Sequence, residues 1–318
     1  MNLMLDKSKT YVVGYSTGVD STALLHYLKQ HNYKVRAICV KHYVNNEFTN
    51  GINEQIAKEL CTQLDIDLTI LTVNFSSVNG GFEHNARIER YSAIAKNLLE
   101  HEIFLTGHHN DDLVETVFLQ MLRGTGLKGL SGIKPEQSLV VNNHVININR
   151  PLLKIAKAEL IAYAVNNNLK WYEDVTNEDD NIKRNFLRLN IFPLLKEKYA
   201  HLNKNITRLT EYMQEADRNL MDLAEIDINS VQLSDLPLIT KWDKQDLKKL
   251  SKDRISNLIR YFFKKKYNLI LSENEYHEIF KRVFSVRNES VIQNKVKLSI
   301  SHSEISFEKI INPSVLIK

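Results

Sequence analysis

The chain has 318 residues, 43% apolar and 25% charged, which suits a protein with a sizeable core and room for two domains. No apolar run is long enough to span a bilayer, and the first residues lack the long apolar core of a signal peptide. The two cysteines, Cys39 and Cys61, stand in no CxxC spacing, so the expected home is a reducing cytoplasm rather than an oxidising or membrane setting.

The net charge of +4 divides unevenly. Residues 1–182 carry 17 basic and 21 acidic side chains, and residues 183–318 carry 25 and 17. A weakly acidic front and a basic back suggest a catalytic part followed by a part that binds a polyanion; a solvated basic surface is the plainer alternative.

Taken in chain order, Tyr11–Tyr15 reads as a strand, Ser16-Thr17-Gly18-Val19-Asp20-Ser21 as a tight loop, and Thr22–Leu28 as the start of a helix. Such a loop offers backbone N–H groups, hydroxyls and a helix N-terminus to a phosphate. It has no lysine and so is not a Walker loop. It suits a nucleotide cleaved at its α-phosphate, with pyrophosphate held in the loop. The plainer reading is a strand-to-helix turn with Asp20 and Ser21 in capping positions.

Val35–Val40, Leu68–Val73 and Ile103–Thr106 are strand-like. Between and after them, Asn53–Leu64, His84–Leu99 and Asp111–Leu122 are helix-like. This alternation predicts a parallel sheet covered by helices, with ligands at the carboxyl ends of the strands. His42 lies just past the second strand, where an adenine or ribose could sit. Arg87 and Arg90 share a helical face and can clamp phosphate, or pair with Glu83 and Glu89.

The densest cluster runs from Leu105 to Thr116 and includes His108, His109, Asp111, Asp112 and Glu115. Asp112 and Glu115 fall on one helical face. These acids can hold Mg²⁺ bridging nucleotide phosphates, or a cationic substrate; a metal site built from the two histidines and the aspartates is a rival. Gly124, Gly126 and Gly129 match G-x-G-x-x-G but follow a helix, which argues for a mobile loop beside the crevice rather than a dinucleotide site.

After Arg150–Leu153 come a helix over Ile155–Asn167, Trp171, and an acidic loop over Glu173–Asn181. A long helical stretch from Arg184 to about Ala224 follows, expected to break or kink at Pro193. It opens with the basic run Lys183–Arg188, a candidate for an RNA backbone. Asn229–Asp243 reads as a linker. Helices over Lys248–Tyr267 and Glu273–Phe284 and strands over Val291–Ile300 and Glu304–Lys309 complete the pattern.

In this order the motifs resemble the tRNA(Ile)-lysidine synthetase family of the N-type ATP pyrophosphatase (PP-loop) superfamily. The family's S-G-G-x-D-S stands here as Ser16–Ser21, and its A-R-x-x-R-Y as Ala86–Tyr91. Its H-x-x-D-D-x-x-E-T and R-G-[ST]-G-x-x-G-L stand as His109–Thr116 and Arg123–Leu130. Its R-P-L-L, W-x-E-D-x-[ST]-N and R-N-x-[IL]-R stand as Arg150–Leu153, Trp171–Asn177 and Arg184–Arg188.

The resemblance implies an α/β fold: a parallel-sheet, adenine nucleotide α-hydrolase-like PP-loop domain over 1–195, a helical linker over 196–240, and a small α+β tRNA-binding domain over 241–318. The implied reaction adenylates C2–O of the wobble cytidine in a CAU anticodon with ATP; L-lysine then displaces AMP to give lysidine. Ser16, Thr17, Gly18, Val19, Asp20, Ser21 and His42 would bind ATP. Asp20, Asp112 and Glu115 would be catalytic, with Mg²⁺ on Asp20 and Asp112. The lysine ammonium would fall to Asp111, Asp112 and Glu115. The tRNA would fall to Arg87, Arg90, Arg123, Arg184, Asn185 and Arg188. A homodimer is compatible with the resemblance, and no membrane partner is expected.

Two departures stand out. Thr17 replaces a glycine, bringing a Cβ to a place where backbone meets phosphate. The loop after the second strand keeps only His42 of the family's histidine pattern. No second C-terminal domain, such as some members carry, is expected within these 318 residues. Two other readings stay open: another superfamily enzyme, such as a tRNA thiolase, and a tRNA-binding module that has lost catalysis.

Overall fold

The computed structural model describes residues 1–44, 47–48, 53–75, 82–142, 144–285, 289–293 and 296–310. The chain divides into two compact units, Met1–Met213 and Gln214–Lys318.

The first unit is built on a sheet whose centre is parallel. Strand β1 (Thr10–Gly14) leads through the loop into α1 (Val19–Gln30), then β2 (Lys34–Val44) and the short β3 (Glu47–Phe48). Helix α2 (Glu54–Gln63), β4 (Leu68–Phe75), α3 (Phe82–Asn97), β5 (Glu102–Leu105) and α4 (Asn110–Leu122) follow. Strand β1 lies between β2 and β5, parallel to both, with Val12 opposite Arg36 and Phe104, and β4 runs parallel to β2. Val12 and Val13 are both fully buried because helices cover both faces, which is why β1 reads as an unbroken apolar run. Tyr11, Val13, Leu24, Leu28 and Leu60 form the core on one face; Val12, Ile38, Tyr91, Ile94 and Phe104 form it on the other.

Beyond α4 lie the one-turn helix α5 (Leu127–Leu130), β6 (Glu136–Val141) and β7 (His144–Asn149). Strands β6 and β7 pair antiparallel, and β7 runs parallel to β5. This hairpin was not among the expected elements. Asn142, in the left-handed region at φ 48°, helps turn it. Helix α6 (Lys157–Asn166) then packs Leu160 against Leu24 and Leu28 of α1 in the shared core.

The expected long helix after Arg184 is several pieces: α7 (Lys183–Phe186), a π-turn over Leu187–Ile191, α8 (Phe192–Lys198) and α9 (Leu202–Val231). One of the boundaries falls at the expected place, with Pro193 in the first turn of α8, where no amide donor is needed. Residues 196–240, expected as a linker, hold the end of α8, all of α9, strand β8 (Gln232–Asp235) and the start of β9 (Ile239–Asp243).

In the second unit, β9 leads into α10 (Lys244–Lys249), α11 (Lys252–Tyr267) and α12 (Glu273–Val283). The break inside the expected Lys248–Tyr267 helix falls at Leu250, and Ser251 caps α11 by accepting from the Arg254 N–H. The expected strand Val291–Ile300 is two strands, β10 (Glu289–Gln293) and β11 (Val296–Ile300), and β12 (Glu304–Lys309) follows. The sheet is antiparallel in the order β10-β11-β12-β9-β8, over a core of Trp242, Phe262, Phe263 and Phe307. Among the described residues no helix is long and apolar enough to cross a membrane.

Candidate active site

The carboxyl ends of β1, β2 and β5 open into a cleft of about 1500 Å³ in the first unit. Its apolar wall includes Ile38, Val40, Ile94 and Phe104; its polar floor includes the loop after β1 and the start of α4. Gly14 lets β1 approach β5 here: a Cβ would lie 2.7 Å from the Phe104 ring.

The loop is ordered from within. The Ser16 N–H donates to Ser21 Oγ at 3.2 Å, and Ser21 Oγ donates to the Gly18 carbonyl at 3.1 Å. Gly18 occupies the N-cap of α1, so this helix end has no capping side chain, and Gly18, Val19, Asp20 and Ser21 line the cleft. Thr17 adopts φ 64° and is fully buried, outside the cleft lining. Its Oγ1 donates to the Ser16 carbonyl at 2.6 Å and accepts from the Asn53 N–H at 3.1 Å. The Cβ expected to crowd the phosphate position is therefore turned toward α2, whose end Asn53 caps through the Ile56 N–H.

Three acids surround one buried histidine. His109 Nε2 lies 3.7 Å from Asp20 and 3.5 Å from Asp112, and Nδ1 lies 3.8 Å from Asp111. Each acid is also tied to a cation. Lys157 Nζ reaches both oxygens of Asp20, at 2.7 and 2.8 Å. Asp111 accepts from Lys196 Nζ at 2.6 Å, the Lys157 N–H at 2.9 Å and Asn203 at 3.1 Å. Burial works to raise the Asp111 carboxyl, but these donors outweigh it and bring it down to about 2. Asp112 accepts from the His109 N–H at 2.9 Å and from Arg184 at 2.6 Å. Burial opposes its charge too, and nearby His109 and Arg184 hold it below the usual range.

Glu115, 2% exposed, is held by two guanidinium groups: Arg184 Nε at 2.5 Å, and Arg188 Nε and Nη2 at 2.7 and 3.0 Å. The arginines expected to meet RNA thus face the acids in this structure. Asn185, buried beside them, donates to the Asp179 carbonyl at 2.9 Å.

His42 and His108 line the same cleft, and His108 Nδ1 is 2.7 Å from Thr106 Oγ1. Burial is the main cause that pushes both imidazoles down to about 4, helped at His42 by the Arg90 charge. Arg90 also lines the cleft, whereas Arg87 is exposed and outside the lining; each guanidinium lies 5.5 Å from the Tyr91 ring. Arg123 is not brought to the cleft. It caps the far end of α4, roughly 20 Å from Asn110 at the rise of an α-helix.

Several cleft residues lie outside the expected set, among them Lys196 and Asn203 on Asp111, Lys157 on Asp20, and Gly107. Lys157 lies four residues beyond Leu153, and only its place just after R-P-L-L could have signalled it. Gly107 sits where β5 meets the loop: a Cβ there would be 3.2 Å from the Ser21 nitrogen and 3.3 Å from Asp20 Cβ. Arg150 of R-P-L-L is buried and donates to the Lys134 carbonyl and Gln137, a structural role behind the hairpin.

A nucleotide-scale cleft, an uncapped phosphate loop and adjacent acids define a PP-loop ATP-binding protein. The PP-loop domain family matches residues 2–195, and the chain belongs to it. Its relatives include tRNA(Ile)-lysidine synthases. That of Wigglesworthia glossinidia brevipalpis is 29% identical over 310 residues, covering 92% of this chain and 74% of the relative. That of Histophilus somni (strain 129Pt) is 36% identical over 225 residues, covering 69% and 51%. That of Legionella pneumophila (strain Paris) is 31% identical over 283 residues, covering 88% and 63%. The chain thus spans from half to three quarters of the length of these relatives. Among solved structures, the U34-tRNA thiolase NcsA from Methanococcus maripaludis with its 4Fe-4S cluster shares the fold. Its TM-score is 0.51 at 18% identity, covering 66% of this chain and 74% of that one.

Proposed function

We propose that this chain is an ATP-dependent ligase that joins L-lysine to C2 of the wobble cytidine in the CAU anticodon of an isoleucine tRNA, giving lysidine, AMP and pyrophosphate. The observation that carries this reading is the meeting of an anion site and a cation site in one cleft. The open N-terminus of α1 suits polyphosphate, and three acids within 4 Å of His109 suit an ammonium.

In this reading the loop Ser16–Ser21 holds the departing pyrophosphate while the cytidine C2 oxygen attacks the α-phosphorus of ATP. His42, neutral at physiological pH, and the apolar wall receive the adenosine. The hard carboxylate oxygens of Asp20 and Asp112 fit Mg²⁺, and Asp20 already accommodates a cation, the Lys157 ammonium. Bound there with ATP, Mg²⁺ would neutralise charge on the phosphates. Asp111, Asp112 and Glu115 form the acidic wall for the lysine ammonium. A carboxylate beside the ε-amine accepts its proton as the nitrogen attacks C2 and AMP leaves. Positioning and electrostatics supply most of the catalysis.

Arg87, Arg90, Arg123, Arg184, Asn185 and Arg188 are the proposed RNA contacts of residues 1–195. The basic residues 241–318, preceded by the helical linker 196–240, are the proposed second tRNA-binding part. Single-stranded anticodon bases are read by stacking and edge contacts.

Cys39 and Cys61 disfavour a thiolase. Both are buried, burial pushes their thiols up to about 12 and about 11, and neither lines the cleft. The test is incubation with ATP, Mg²⁺, labelled lysine and an isoleucine tRNA transcript bearing CAU. Label in RNA that disappears when the wobble cytidine is replaced is the expected result. Tight RNA binding without label would favour the module that has lost catalysis.

A further inference from the structure

We propose that Lys157 supplies the cation that the phosphate loop lacks, and that its ammonium exchanges Asp20 for the polyphosphate when nucleotide enters. This rests on the reading of the loop as a triphosphate site. The loop Ser16–Ser21 contains hydroxyls, backbone N–H groups and one carboxylate, but no basic side chain. Unscreened, Asp20 would repel a polyphosphate seated in the same loop.

Lys157 cancels that charge from another element. It is the first residue of α6, and its Nζ contacts both Asp20 oxygens at 2.7 and 2.8 Å. Its backbone N–H is separately anchored, donating to Asp111 at 2.9 Å. The Cα is therefore fixed while the side chain, 37% exposed, remains free to swing within the cleft it lines. A lysine is a point charge on a flexible stem, suited to following a phosphate. Two other basic groups face Asp20, His109, whose Nε2 lies 3.7 Å away, and Arg188, on which the Asp20 charge acts, so the carboxylate keeps basic neighbours after the ammonium departs.

A purely structural tie between α1 and α6 explains less. Those helices are already joined on their buried sides, through Leu24, Leu28 and Leu160 and through a 2.9 Å hydrogen bond between His26 and Tyr163. The ion pair adds a partly exposed contact at the cleft end, where a tie contributes little to stability.

The test is calorimetry with magnesium pyrophosphate, ATP and adenosine on the wild type, Lys157→Met and Lys157→Arg. We expect Lys157→Met to weaken pyrophosphate and ATP by about tenfold or more, with adenosine within twofold, and Lys157→Arg to retain most of the affinity. Unchanged pyrophosphate and ATP affinity in Lys157→Met, with only a lower Tm, would overturn the proposal and leave the reading of the loop intact. A wild-type chain that binds neither pyrophosphate nor ATP would overturn that reading, and the proposal with it. Should Lys157→Met not fold, Lys157→Gln provides the same uncharged comparison.

Discussion

Two helices start at neighbouring strand ends in the cleft and are prepared in opposite ways. Helix α1 begins at Gly18, with no capping side chain. Helix α4 begins at His109, whose N–H donates to Asp112, and its first turns carry Asp111, Asp112 and Glu115. Helix dipoles make both ends electropositive. At α1 the single first-turn acid, Asp20, is screened by Lys157, which in the proposed reading leaves that potential available to an anion. At α4 the acids outweigh it, and Lys196, Arg184 and Arg188 in turn neutralise the acids. In the proposed reading one strand-to-helix geometry, repeated side by side, gives an anion seat and a cation seat, with His109 within 4 Å of both Asp20 and Asp112.

The largest effect that tests this division is expected at Asp112. Replacing it with Asn keeps an oxygen for the His109 N–H but removes the charge that faces Arg184. Lysidine formation should fall by about a thousandfold, the scale of losing a key electrostatic group. RNA retention on filters should stay within about twofold, since Arg184 keeps its charge. Equal loss of both would mean that Asp112 supports the fold or the RNA surface instead of the chemistry.

A smaller effect is expected from the anion seat alone. In Gly107→Ala the new Cβ meets the Ser21 nitrogen at 3.2 Å and Asp20 Cβ at 3.3 Å, so the loop must yield by a few tenths of an ångström. ATP affinity should fall by about tenfold, as for one perturbed charge-assisted hydrogen bond. Lysine and RNA binding should persist. Loss of all three would indicate that the two seats are not separable.

The two seats were not equally legible. The loop after β1 announced itself because strand, loop and helix are consecutive, and local pattern suffices there. The acids of α4 were visible as residues, but their partners were not: Arg184 and Arg188 reach Glu115 across about seventy residues. Lys157 was missed for the same reason, since nothing within α6 reveals that its ammonium meets Asp20. The β6–β7 hairpin escaped although Ile146-Asn147-Ile148-Asn149 alternates apolar with polar and Asn142-Asn143 was a readable turn signal, because its partner Glu136–Val141 shows no such alternation in sequence. The expected linker at Asn229–Asp243 was misread because mixed polarity there reflects a helix end and a one-sided hairpin, not irregular chain. The break expected at Pro193 falls beside it, where α8 begins at Phe192 with the proline in its first turn; the further breaks near Leu187 and Tyr199 carry no proline and had no such signal.

Between the two seats, pH offers a milder probe. His42 and His108 have folded-state values near 4, below the unfolded value near 6.5, because burial disfavours their charged forms. Between those values the unfolded chain binds more protons, so stability rises with pH across that window and is lost on acidification. Urea unfolding at pH 7, 6 and 5 should give a falling midpoint, and His108→Asn should flatten the slope. Asp111, near 2, adds its own loss only below its unfolded value of about 4. An unchanged slope in His108→Asn would place the acid sensitivity elsewhere.

The smallest effect is expected at Thr17, where two terms oppose one another. A β-branched residue at φ 64° carries backbone strain of about 1–2 kcal/mol, which glycine would release. Glycine also loosens the unfolded chain and gives up the Oγ1 bond to the Asn53 N–H, costs of about 1 kcal/mol each. The net change in stability for Thr17→Gly should lie within about 1 kcal/mol of zero. Because the side chain points away from the cleft, pyrophosphate release should be unchanged or slightly raised. Thr17→Val separates the terms, keeping the strain while losing both Oγ1 hydrogen bonds, and should be the less stable of the two. A large fall in pyrophosphate release in Thr17→Gly would instead show that the anchor to α2 holds the loop in register for nucleotide, and that the anion seat depends on its second-strand neighbourhood as much as on the N-terminus of α1.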